Sequence, residues 1–163
     1  MTDSTLDRPN VIIFPPVIPY SMLAIACILQ RLVPLGWIES LAFRWRIVAG
    51  AIIFIAGMTM MAAGYRALVR HGTNVNPSRP STALVTDGVF GHTRNPLYVG
   101  ISIALCGLAL VFDLDWVLLL ILPSCVLLHF AVVRREERYL DGKFGEAYRR
   151  YKERVPRYLP LGH

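Results

Sequence analysis

The chain has 163 residues, 55% of them hydrophobic and 17% charged, with a net charge of +6 and a mean hydropathy of +0.48. A soluble protein of this size could not bury so much apolar surface. Long windows carry no charge, whereas residues 134–163 carry half of the total; that segregation marks an integral membrane protein and excludes nucleic acid as the reason for the basic balance.

The polar N-terminal stretch carries Asp3 and Asp7 and lacks the basic region and small-residue cleavage site of a removable leader. Four apolar windows follow, at about residues 15–33, 47–68, 96–112 and 116–133, each near the ~20 residues that cross a bilayer as a helix, the first and third being short. Arg44 and Arg46 flank Trp45 before the second window and are expected to snorkel outward around it. Only Asp113, Leu114 and Asp115 separate the last two windows, which predicts a tight helical hairpin. Gly100, Ser102, Ala104, Cys106 and Gly107 give the third window small residues for close packing, within the hairpin or against a second copy. Cys27, Cys106 and Cys125 lie in apolar runs and read as packing residues, with no metal site implied.

The expected architecture is all-α: one integral-membrane domain, a polytopic bundle of about four spans, with a polar loop over residues 69–95 and an amphipathic C-terminal segment over 134–163. With four spans, the N-terminus, that loop and the C-terminal segment share one side, which then holds 14 of the 17 Lys and Arg residues. The positive-inside rule places both termini in the cytoplasm. No acid falls inside a span, which argues against a cation-coupled transporter. His129 is the one titratable group well inside the fourth span, either hydrogen-bonded in the interior or lining a pocket.

The chemistry therefore concentrates on the cytoplasmic face. In the loop, Leu84-Val85-Thr86 is an extended apolar patch, Asp87-Gly88 a turn, and Val89 and Phe90 fold back onto the helices. Asn95-Pro96 is a helix start, with Asn as N-cap and Pro at the first position. Free N–H groups there attract anions, and Arg94 adds a fork suited to a carboxylate. Glu136 and Glu137 follow the fourth span directly, near Arg134, Arg135 and Arg138. Leu140, Phe144, Tyr148, Tyr151 and Val155 then recur on one helical face, with breaks expected at Gly142 and Gly145 and an end at Pro156 and Pro160. A cationic and an anionic corner at one membrane face suit a zwitterionic cofactor beside an amphiphilic substrate.

LVTDGVFGHTRNPLYVG followed by EERYLDGKFGEAYRRYKERVPRYLP resembles the integral-membrane methyltransferases, a superfamily that includes the isoprenylcysteine carboxyl methyltransferases and the phospholipid N-methyltransferases. The resemblance covers residues 74–160 and implies S-adenosylmethionine as cofactor in a cytoplasm-facing pocket. It implies that Arg94, Asn95, Pro96, Tyr98 and Gly100, the pair Glu136 and Glu137, and the covering residues Leu84, Val85 and Gly88 belong to that pocket, with Arg94 and Glu137 the residues on which catalysis depends. Asn95 stands where the isoprenylcysteine enzymes carry histidine, and the nearby His92 is counted among the expected cofactor-binding residues. No strand–turn–helix unit surrounds Gly88–Gly91, so a cofactor pocket must come from helix ends and the loop. The implied acceptor is a lipophilic small molecule or lipid; for an amine acceptor the candidate bases are Glu136, Glu137 and His129. The rival readings are an NADPH-binding membrane reductase of related helical fold, a small transporter, and a non-catalytic adaptor using its basic tail. The oligomeric state is not legible.

Overall fold

Inside a bilayer every backbone N–H and C=O must be satisfied within its own segment, so long apolar runs fold as helices. The computed structural model describes residues 9–77 and 79–158, and among these it contains helices and no strand; Asp3, Asp7 and Pro160 lie outside the described residues. The helices are α1 (Val17–Leu32), α2 (Phe43–Arg70), α3 (Pro96–Phe112), α4 (Asp115–Leu128), α5 (Arg134–Phe144) and α6 (Glu146–Arg154), with a short 3₁₀ turn at Gly88–Gly91. A π-turn, His129–Val133, joins α4 to α5 without a break. Two helices, α2 and the continuous run Asp115–Phe144, are long and apolar enough to cross a membrane; α1 and α3 are apolar but shorter, at 16 and 17 residues. Large apolar side chains such as Ile52, Ile55, Leu122 and Val126 face outward, the surface of a membrane protein.

The tightest joint is between α2 and α3. Gly50, Gly57 and Gly64 recur every seven residues on α2, and Gly107, Ala104, Gly100 and Pro96 face them from α3. A Cβ built on Gly100 would sit 2.8 Å from the Gly57 carbonyl oxygen and 2.8 Å from the Met61 nitrogen. The small residues of the third window therefore serve α2 as well as the hairpin. Ser102 looks the other way, its Oγ 3.5 Å from Cys125 Sγ on α4. On the far side of the bundle α1 packs on α4, and it makes no extended contact with α2.

At the hairpin end, Asp113 takes the left-handed conformation (φ 58°) that reverses the chain after α3. Asp115 is not in the turn but opens α4, 1% exposed. It accepts hydrogen bonds from the Gly36 N–H (2.9 Å), the Ile38 N–H (2.8 Å) and the Gln30 amide (3.3 Å), pinning the segment between α1 and α2. Arg46 does not snorkel outward: it is buried and pairs with Asp113, a paired charge being tolerated where a lone one is not.

At the opposite end, Gly145 (φ 52°) separates α5 from α6, while Gly142 continues inside α5. The periodic apolar face is spread over both helices, and Tyr148, Tyr151 and Val155 bury against Leu84, Leu140 and Phe144. The Tyr151 hydroxyl also donates to the Phe90 carbonyl at 2.7 Å. That face is thus occupied by the chain's own loop.

Candidate active site

The π-turn sits immediately before the two glutamates. The extra residue in such a turn resets the direction of the helix that follows and frees carbonyl oxygens. One of them, Ala131 O, is taken by the Ile12 N–H (3.1 Å), and Arg135 donates to the Asn10 carbonyl (3.1 Å), so the segment before α1 is tied across the turn. From this point α5 sends Glu136 and Glu137 to different partners.

Glu137 is held between two guanidinium groups. Arg157 donates from Nε to both carboxylate oxygens (3.0 Å each) and from Nη2 to Oε2 (2.7 Å). That bidentate bond raises the Arg157 pKa above its ordinary value, against the lowering effect of burial. On the other side Arg94 Nη1 lies 3.2 Å from Glu137 Oε1, with the two side chains only 10% and 12% exposed. The geometry there is that of an ion pair rather than a hydrogen bond, so Arg94 Nε and Nη1 have no hydrogen-bond acceptor among the described residues. A buried donor left in that state costs ~1–3 kcal/mol, which a ligand carboxylate or hydroxyl could recover.

Arg157 belongs to a strap after α6 that the sequence did not single out. Its carbonyls close the start of α3: the Arg94 N–H donates to Pro156 O (3.0 Å), and Thr93 Oγ1 (3.2 Å) and Asn95 Nδ2 (2.9 Å) both donate to Arg157 O. Asn95 is thus not a side-chain N-cap; its amide anchors the strap. The Asn95 N–H bonds Thr93 Oγ1 at 3.2 Å, so neither it nor the Arg94 N–H is open to an anion. His129 Nδ1 meets the Tyr158 hydroxyl at 2.8 Å and lines neither pocket described below.

Glu136 turns the other way, accepting a hydrogen bond from the Tyr98 hydroxyl on α3 at 2.9 Å. It stands three residues beyond the apolar run, which ends at Val133. Loss of water pushes its pKa up to about 7, and the neighbouring Glu137 adds to the rise while the Tyr98 hydrogen bond opposes it.

Between the start of α3, the loop and α5–α6 lies a cavity of about 130 Å³ lined by Arg94, Asn95, Pro96, Tyr98, Glu136 and Glu137, roofed by Leu84, Val85, Asn74 and Ser81 and walled by Tyr148 and Tyr151. Three residues expected in it do not line it. His92 is exposed, Gly88 (φ 57°) makes the turn before the 3₁₀ segment, and Gly100 packs on α2. A second pocket, about 380 Å³ and chiefly apolar, lies between α1, α2, α3 and α4, lined by Phe14, Tyr20, Met61, Leu105, Ile121 and Leu128 among others. Val75, Pro77, Leu97 and Tyr98 line both pockets and form the wall between them.

The sequence has counterparts among known proteins. Residues 45–147 match the sequence profile of the phospholipid methyltransferase family. The protein-S-isoprenylcysteine O-methyltransferase of Schizosaccharomyces pombe is 39% identical over 80 residues, covering 48% of this chain and 33% of that protein. A nickel-cobalt-cadmium resistance protein of Alcaligenes xylosoxydans xylosoxydans is 30% identical over 118 residues, 71% of this chain and 52% of the other. A cobalt-zinc-cadmium resistance protein of Cupriavidus metallidurans is 32% identical over 82 residues, 50% of this chain and 38% of the other. The chain thus spans between a third and about half of the length of these relatives. No solved structure matches it.

Proposed function

The chain belongs to the phospholipid methyltransferase family, and from that premise we propose that it is an S-adenosylmethionine-dependent methyltransferase acting on a lipophilic or small amphiphilic acceptor, an integral membrane protein with its site and both termini on the cytoplasmic face. One observation carries the reading: a polar cavity holding a buried guanidinium with two unmatched donors shares the Tyr98 wall with a larger apolar pocket inside the bundle. A water-soluble cofactor and a lipophilic acceptor would meet at that wall.

The residues fit the cofactor's chemistry. Arg94 would take its carboxylate, Glu137 its hydroxyl or amino donors, and Leu84, Val85, Tyr148 and Tyr151 supply apolar walls for the purine. When bound, the cofactor supplies an electrophilic methyl group on a sulfonium. What the chain contributes is position: α3 and α5 hold the polar groups rigidly, the strap fixes Glu137, and the Leu84 loop keeps water out. Holding two reactants in attacking geometry is worth up to ~7–11 kcal/mol of a barrier. The acceptor reaches the wall from the apolar pocket, where α1 and α2 leave a lateral gap beside Tyr20, 69% exposed.

Incubation of the membrane-reconstituted protein with methyl-labelled cofactor, followed by two-phase extraction, tests this. Label is expected in the organic phase, from a lipid extract or a long-chain amine. Label that stays in water with every lipophilic acceptor would contradict the membrane acceptor.

A further inference from the structure

The two adjacent glutamates are not equivalent. Glu137 is held by Arg94 and Arg157 through three hydrogen bonds and an ion pair. Glu136 has one partner, the Tyr98 hydroxyl, and Tyr98 is a wall residue of both pockets. Tyr98 thus links the apolar pocket to the Glu136 carboxylate, its hydroxyl donating to Glu136 from the wall that the two pockets share. No other carboxylate among the described residues lines either pocket apart from Glu137.

We propose that Glu136 is the proton acceptor of the reaction, working through Tyr98, for an acceptor that holds its proton at neutral pH. This rests on the methyltransferase reading above. The balance is simple: the acceptor's nitrogen or oxygen bonds to the methyl carbon as the carbon–sulfur bond breaks and leaves its electron pair on sulfur. The displaced proton passes to the Tyr98 oxygen as the Tyr98 proton passes to Glu136 Oε1. The positive charge of the sulfonium and the negative charge of Glu136 both disappear.

The groups that act on Glu136 are few. Tyr98 faces it from α3 and Glu137 adjoins it on α5, while Arg94 and Arg157 face Glu137 and Tyr158 of the strap packs in the same cluster as Tyr98. With its carboxyl pushed up to about 7, Glu136 is neutral at pH 6 and carries its charge at pH 8. A base with that midpoint matches the proton-transfer task at neutral pH.

Two ligands separate this from a cofactor-binding role without needing the acceptor. S-Adenosylhomocysteine is neutral at the reacting position, and sinefungin carries an ammonium there; all else is shared. In the wild type the preference for sinefungin should grow about tenfold from pH 6 to pH 8, as the carboxylate facing that ammonium ionises. In Glu136→Gln the preference should be flat, with S-adenosylhomocysteine affinity within about threefold of wild type, a difference of under about 0.7 kcal/mol. A flat wild-type profile overturns the proposal by itself, with no variant needed. So does loss of S-adenosylhomocysteine binding in a folded Glu136→Gln protein, which would make Glu136 a cofactor ligand. If neither ligand binds the wild type, the methyltransferase reading fails, and this assignment with it.

Discussion

Glu137→Ala is expected to abolish the rise in unfolding temperature that S-adenosylhomocysteine should give the wild-type protein. At a hundredfold excess over its dissociation constant, a ligand that binds only the folded state adds ~2.7 kcal/mol, about 5–10 °C for a domain of this size. The variant should show no shift at the same concentration. Two losses combine. Glu137 is removed as a ligand group, and Arg94, 90% buried, loses the carboxylate that holds it in the cavity. Removing one partner of a buried pair costs ~3–5 kcal/mol; the lower end applies, because Arg157 is 38% exposed and water takes over its charge. The unliganded variant should therefore unfold earlier but still cooperatively, since the α2–α3 contacts at Gly50, Gly57, Ala104 and Gly107 do not reach the cavity. A full ligand-induced shift in Glu137→Ala would remove Glu137 from the site.

Gly57→Leu separates α2 from α3. A Cβ at Gly57 would lie 2.6 Å from the Gly100 carbonyl oxygen and 2.9 Å from the Ala104 Cα, and nearer still to the Ala104 nitrogen. All three obstacles are backbone, so no rotamer change relieves them. Overpacking costs ~1–3 kcal/mol where side chains can yield and more where they cannot; here the loss should reach about 3 kcal/mol or the protein should fail to survive detergent extraction. Gly142→Ala is the control. It lies exposed inside α5, with nothing within 4 Å of the added atom, and should raise stability by up to ~1 kcal/mol through helix propensity. Thermal unfolding of the three proteins in one detergent checks the order; equal midpoints for Gly57→Leu and wild type would show that the helices do not meet at these glycines.

Hydropathy is a local property, and it located the helices of the bundle. Packing partners are not local. The small residues of α3 were read from the sequence, but their partners Gly50, Gly57 and Gly64 on α2 went unread, and only the fold shows that these two sets face each other. The same holds for the charges. Asp115 and Arg46 looked like surface residues at a turn, and both turned out buried with partners up to 85 positions away.

At the site, the residue types were legible and their division of labour was not. Arg94, Tyr98, Glu136 and Glu137 line one cavity. Adjacent residues on a helix point about 100° apart, so Glu136 and Glu137 had to face different partners, but which partners depends on how α3 and the strap after α6 pack on α5. Arg157 went unread because it follows Pro156 in what looks like a chain end; its bond to Glu137 spans 20 positions and depends on how α6 folds back. Asn95 misled for a plain physical reason. An Asn before a helical Pro usually caps the helix with its side-chain oxygen, but here its Nδ2 donates to the strap carbonyl and the oxygen makes no capping bond.

The central claim is that this family member keeps a built cofactor site at the start of α3 and α5. Calorimetric titration of the detergent-purified protein with S-adenosylhomocysteine, beside a parallel titration with NADPH, tests it most directly. One saturable site for S-adenosylhomocysteine and none for NADPH is the predicted result; a folded protein that binds NADPH, or neither molecule, would contradict it.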